Sequence, residues 1–187
     1  MFKIQVKEDL LCYCRELVEK YNFGQRGVAD GNKEEQYTGI LGQCVVAQFF
    51  GQELISGEGG FDGGVDLVYS GLRIDVKTMG RTTDVRDYYV NNFIGLQKQF
   101  EVDVYIFCSL NKRTNVLTIC GWIDKDSLFK IAKFYKKGTK RNRSDGSYFS
   151  TKADLYEVGN KDINDIDSME RLKECLESFS KSTPDIC

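Results

Sequence analysis

Apolar and polar positions alternate along Leu72–Thr78. Leu72, Ile74 and Val76 fall on one side, and Arg73, Asp75 and Lys77 fall on the other. This period of two predicts a strand with one face in a core. A second short run, Val65–Tyr69, precedes it across the turn dipeptide Ser70-Gly71, so the pair predicts a hairpin. With a two-residue loop the register follows by counting. Tyr69 faces Leu72, Val68 faces Arg73, Leu67 faces Ile74, and Asp66 falls opposite Asp75. Opposed Cβ atoms lie about 5 Å apart, and like charges there repel. A positive group is needed between the two aspartates, either a divalent cation or Lys77.

Other periodicities fill in the chain. Val6–Tyr21 carries Leu10, Leu11, Cys14, Leu17, Val18 and Tyr21 at helical spacing, which predicts a packing helix. Lys33–Gly51 is the second predicted helix, with Glu34 and Glu35 in its first turn and Gly51 at its end. Gly39 and Gly42 inside it each cost about 1 kcal/mol against alanine, and point to close backbone approach. Strand-like character begins at Tyr88-Tyr89-Val90, and Ile94–Phe100 predicts a short helix. Val102–Leu110 and Val116–Ile123 are apolar strands. Lys125–Lys137 reads as a helix, Asp154–Val158 as a last strand and Met169–Phe179 as a closing helix. Strands between flanking helices predict an α/β (α+β) domain whose mixed sheet is covered by helices on both faces.

Composition narrows the chemistry. The 187 residues suit one domain, and 41% apolar with 29% charged residues suits a soluble globular protein. No apolar run approaches a membrane span. Seven cysteines lie scattered, several in apolar segments, which predicts buried thiols in a reducing cytosol. There is no histidine, so histidine bases and Ser-His or Cys-His nucleophile pairs are excluded. Chemistry must run on carboxylates, lysine, a metal or a bound cofactor.

Asp66, followed by Asp75-Val76-Lys77, resembles the core of the PD-(D/E)xK nuclease superfamily, with a restriction-endonuclease-like fold. The proline of the family name is replaced by Val65. The resemblance covers about residues 34–122 and is most specific at 61–78. It implies a Mg²⁺-dependent endonuclease that hydrolyses phosphodiester bonds in DNA, with Mn²⁺ able to substitute. Asp66 and Asp75 would be metal ligands, the Val76 carbonyl a further ligand, and Lys77 the lysine that assists the attacking water. The family's helix glutamate corresponds to Gln43 in Leu41-Gly42-Gln43. Gln43 can ligate through its carbonyl but brings no charge, and Glu35, two turns earlier on the same stripe, is a further candidate. Family analogy also suggests a homodimer for cutting both strands, and a phage or mobile-element setting. The rival expectation is a nuclease-fold protein that binds DNA without cutting it.

DNA contact has its own candidates. Lys133, Lys136, Lys137, Lys140, Arg141 and Arg143 form a basic run in a chain of net charge −2. Such clusters hold phosphate backbones by releasing counterions, with little sequence information in the contact. The glycine-rich loop Phe23–Asn32 matches no phosphate-binding fingerprint, but its Arg26 could touch DNA.

Overall fold

The computed structural model describes residues 1–24, 31–58, 63–142 and 146–182. The hairpin forms, and its three observed pairs keep the predicted register, but pairing starts at Leu67 and the predicted opposition of Asp66 and Asp75 is not among them. Strands β2 (Leu67–Tyr69) and β3 (Leu72–Arg81) pair Leu67 with Ile74, Val68 with Arg73 and Tyr69 with Leu72. Ser70 and Gly71 both adopt positive φ, 49° and 78°, the conformation that a two-residue type I′ turn requires. A serine in this region is strained. Its carbonyl is held by the Ser180 hydroxyl at 2.6 Å.

β3 lies inside a five-stranded mixed sheet, completed by β1 (Phe2–Gln5), β5 (Val104–Asn111) and β6 (Val116–Asp124) in the order β1-β6-β5-β3-β2. β3 and β5 run parallel, and the other pairs are antiparallel. β1 adds a strand where the sequence reading had none. Residues of β5 are buried along the whole strand, as a central strand covered on both faces should be.

Helices cover one face: α1 (Glu8–Lys20), α2 (Lys33–Phe49) and α4 (Met169–Ser182). Their apolar stripes meet Leu72, Ile74, Val76, Val104 and Ile106 in one core. The start of α2 is fixed by a capping box, in which Asn32 Oδ1 accepts the Glu35 N–H and Glu35 Oε2 accepts the Asn32 N–H, both at 2.9 Å. α2 presses on β3 at Gly42, where an added Cβ would sit 1.8 Å from Thr78 Oγ1. Only glycine permits that approach.

The other face departs from the expectation of helices on both sides. It is covered mainly by a three-stranded sheet of β4 (Val90–Ile94), β10 (Leu155–Gly159) and β7 (Lys133–Tyr135), in the order β4-β10-β7. Phe93, Tyr105, Phe107 and Val158 form the core between these layers. The predicted short helix forms as a 3-10 turn, Gly95–Gln99, whose Gln97 carbonyl accepts the Tyr105 hydroxyl. The helix α3 (Lys125–Ile131) adds Leu128 and Phe129 to that core. The helix predicted to reach Lys137 therefore ends early. Ala132 is already extended, at φ −63° and ψ 134°, and Phe134 and Tyr135 pair with Tyr156 and Leu155 of β10. Aromatic residues suit a strand better than a helix end. A further ribbon, β8 (Lys140–Asn142) with β9 (Tyr148–Ser150), follows. The fold is thus mixed α+β.

Candidate active site

The chain leaves β2 in a way that sets the geometry. Asp66 N–H donates to the Ile74 carbonyl at 2.9 Å, and beyond that bond it is the Asp66 side chain that meets β3. Its Oδ2 accepts the Val76 N–H at 2.6 Å. The carboxylate is thereby seated on the main chain between Asp75 and Lys77. Residues 74 and 76 direct their backbone groups toward this edge, so the Val76 carbonyl faces the same side.

Asp75 and Lys77 stand two residues apart on one face of β3, and Lys77 Nζ donates to Asp75 Oδ1. Of the two counter-charges that the aspartates called for, Lys77 is the one that meets Asp75. Side-chain exposure is 18% for Lys77 and 1% for Asp75, so the ion pair is largely removed from water. Burial pushes the neighbouring Tyr105 phenol upward, and the Asp75 charge adds to that shift. α2 contributes Gln43, buried, whose Nε2 donates to the Asp66 carbonyl at 3.3 Å. Gln43 thus steadies the segment that carries Asp66.

These groups border one cleft of about 610 Å³. Gln43, Asp66, Asp75, Val76 and Lys77 all line it, as does Glu35. Glu35 is occupied by the α2 capping box. Among the described residues no three His, Cys, Asp or Glu side chains gather as a metal-binding group. A cation here would therefore rest on the two aspartates, a main-chain carbonyl and oxygens from water or substrate. That all-oxygen set fits Mg²⁺, which is commonly bound by one or two carboxylates plus substrate phosphates.

The basic run is distributed differently from the sequence expectation. Lys133, Lys136, Lys137 and Lys140 are exposed but do not line the cleft. Lys137 N–H donates to Asp154 Oδ1 at 2.8 Å, and Asp154 O accepts the Gly95 N–H at 2.7 Å. This ties the basic segment to the end of β4 at the cleft rim. Lys140 Nζ sits 3.7 Å from the Tyr148 ring centroid. Arg141 is turned inward: Nη2 lies 2.9 Å from Glu157 Oε2, and the guanidinium stacks 3.8 Å from the Tyr135 ring centroid. Arg26 and Arg143 lie outside the described residues. Lys152, exposed and lining the cleft, was not singled out from sequence, and neither were Asn92 and Gln97 on the opposite wall. No local motif marks them; only the folding of β4 and β10 over β3 brings them there.

No family model matches the chain, nor does any curated protein or solved structure. Among the described residues no helix is long and apolar enough to cross a membrane. Cys12, Cys14, Cys44, Cys108, Cys120 and Cys175 are free thiols.

Proposed function

We propose that the chain is a Mg²⁺-dependent endonuclease hydrolysing DNA phosphodiester bonds, built on a restriction-endonuclease-like core. The observation that carries this reading is the Asp66 carboxylate seated on the Val76 N–H, beside the buried Asp75–Lys77 pair in one cleft. Asp66, Asp75 and the Val76 carbonyl would hold the ion. Bound Mg²⁺ would supply Lewis acidity at the scissile phosphate and lower the pKa of the attacking water. Lys77, released from Asp75 by that competing positive charge, would donate to the phosphoryl oxygens or orient the water. Gln43 would keep Asp66 in place, and Lys152 would meet a flanking phosphate.

The test is hydrolysis of plasmid, duplex and single-stranded DNA with Mg²⁺ or Mn²⁺. Wild type should cut, EDTA should stop the reaction, and Asp75→Ala and Lys77→Ala should be inert. Failure of wild type on every DNA form sinks the proposal.

One observation favours a second reading, a DNA-binding protein that does not cut. The α2 position that would bring a third carboxylate is Gln43, and its amide is bonded to the Asp66 carbonyl. A pure binder would show salt-dependent DNA affinity that does not respond to Mg²⁺.

A further inference from the structure

The cleft carries polar groups that hydrolysis does not use. Asn92 of β4 borders it, and among the described residues its buried Oδ1 has no hydrogen-bond partner. An unmatched buried carbonyl is destabilising, and such atoms are normally satisfied by a ligand or water. Gln97 is 2% exposed and borders the same space. Its Oε1 accepts the Ile94 N–H at 3.2 Å, which leaves its Nε2 donor for the cleft. On the facing wall Gln43 uses Nε2 on Asp66, which leaves its Oε1 acceptor.

Gly39 of α2 also borders the cleft, and a Cβ there would meet no atom within 4 Å. A glycine inside a helix is destabilising relative to alanine. Gly42 has a packing reason for that cost, and Gly39 has none. What Gly39 provides is room in the cleft.

A phosphodiester backbone calls for cations. Facing carboxamides, offering donors and acceptors together, match the edge of a nucleobase instead. Phe100 and Ile94 line the same cleft and make part of its wall apolar. A base paired in a duplex cannot offer its edge to such a pocket. We infer that the cleft beside Asp75 and Lys77 takes one unpaired nucleobase, so that the strand is bound single-stranded or locally opened. The inference rests on the nuclease reading for the position of the backbone. A single-stranded substrate requires one centre, not the two of a dimer.

The experiment measures binding in EDTA, where hydrolysis is off, to a fluorescein-labelled oligothymidine, an abasic strand and a duplex of equal length. Wild type should prefer oligothymidine over both others. Gly39→Leu, which fills the cleft, and Asn92→Ala, which removes the orphan acceptor, should each weaken oligothymidine binding about tenfold, the loss of roughly one hydrogen bond or stacking contact. Melting curves check folding, and whichever of the two variants folds carries the test, with Asn92→Leu, which also lacks the acceptor, as the substitute for Asn92→Ala. Equal or tighter binding of the duplex or the abasic strand overturns the inference, as do folded variants that bind like wild type. Hydrolysis with Mg²⁺ is read separately. Base binding in the cleft without cleavage supports this inference and sinks the nuclease. Duplex cleavage that is indifferent to Gly39→Leu does the reverse.

Discussion

Asp66 Oδ2 accepts the Val76 N–H at 2.6 Å, so a side chain occupies the place of a strand-pairing acceptor at the end of β2. This bond gives Asp66 a structural duty that can be separated from any catalytic one. Asp66→Ala removes the acceptor and should cost about 1–3 kcal/mol in urea denaturation. Asp66→Asn keeps an oxygen for Val76 but loses the negative charge. It should hold most of the stability while losing Mg²⁺-dependent cleavage. Equal destabilisation by both variants would mean that the charge, not the acceptor, holds the hairpin end.

The Lys77–Asp75 pair makes a prediction about metal and stability together. With Asp75 at 1% side-chain exposure, removal of its lysine leaves a buried charge, and broken buried pairs cost about 3–5 kcal/mol. Lys77→Met should therefore melt well below wild type. A cation bound to the folded state stabilises it by mass action. Mg²⁺ should raise the melting temperature of Lys77→Met more than that of wild type, because it replaces the missing positive charge without having to displace a lysine. A Lys77→Met melt that ignores millimolar Mg²⁺ or Ca²⁺ would speak against a metal at Asp75.

Two glycines three residues apart in α2 should respond in opposite directions. Gly42→Ala drives a Cβ to 1.8 Å from Thr78 Oγ1 and 2.9 Å from its Cβ. Overpacking of this kind costs about 1–3 kcal/mol, and Thr78→Ala should restore part of it by removing the nearer atom. Gly39→Ala meets nothing within 4 Å and should stabilise the helix by about 1 kcal/mol. Chemical denaturation of the single and double variants checks both signs.

The same contrast explains what the sequence could disclose. The hairpin register was countable, because Ser70-Gly71 allows only a tight turn and the alternation of Leu72, Ile74 and Val76 fixes the faces. α1, α2 and α4 followed from their apolar stripes. β1 left a short signal, Phe2, Ile4 and Val6 at a period of two, too brief to stand alone. The β7 strand was hidden because Lys125–Tyr135 also satisfies helical spacing, and the choice is made by pairing with the distant Tyr156. β4 was blurred by Asn91 and Asn92, poor strand formers that tertiary structure overrides. Asn91 is fully buried, with its Nδ2 on Asn160 Oδ1 at 2.8 Å. Asn92, Gln97 and Lys152 reach the cleft through these non-local pairings, and so they had no signature in the chain.

Acid should loosen the sheet where the site begins. Asp103 accepts three hydrogen bonds from Arg73: from its N–H at 2.8 Å, Nε at 3.1 Å and Nη2 at 2.9 Å. Burial works to raise the Asp103 pKa, but the Arg73 bonds and charge outweigh it, and the net shift is downward. A carboxylate depressed in the folded state adds stability that is complete above its unfolded value, about pH 4, and is lost as pH falls through the lower folded value. Asp103→Asn should reduce stability at neutral pH and flatten the acid limb of stability below about pH 4. An acid limb that keeps its wild-type slope would place the titration elsewhere.

Basic residues near the cleft should divide by burial and not by their order in the chain. Lys152 is exposed and lines the cleft, so Lys152→Ala should leave the melting temperature unchanged. It should weaken DNA binding and reduce the log–log salt slope by about one. Arg141 is only 22% exposed, and its partner Glu157 is 11% exposed. Arg141→Ala should instead destabilise the β7–β10 layer by about 1–3 kcal/mol, the usual cost of losing a hydrogen bond to a charged group. Its DNA affinity, measured below the unfolding range, should keep the wild-type salt slope. A slope that falls for Arg141→Ala and not for Lys152→Ala would move the DNA path away from the cleft and onto the β8–β9 ribbon.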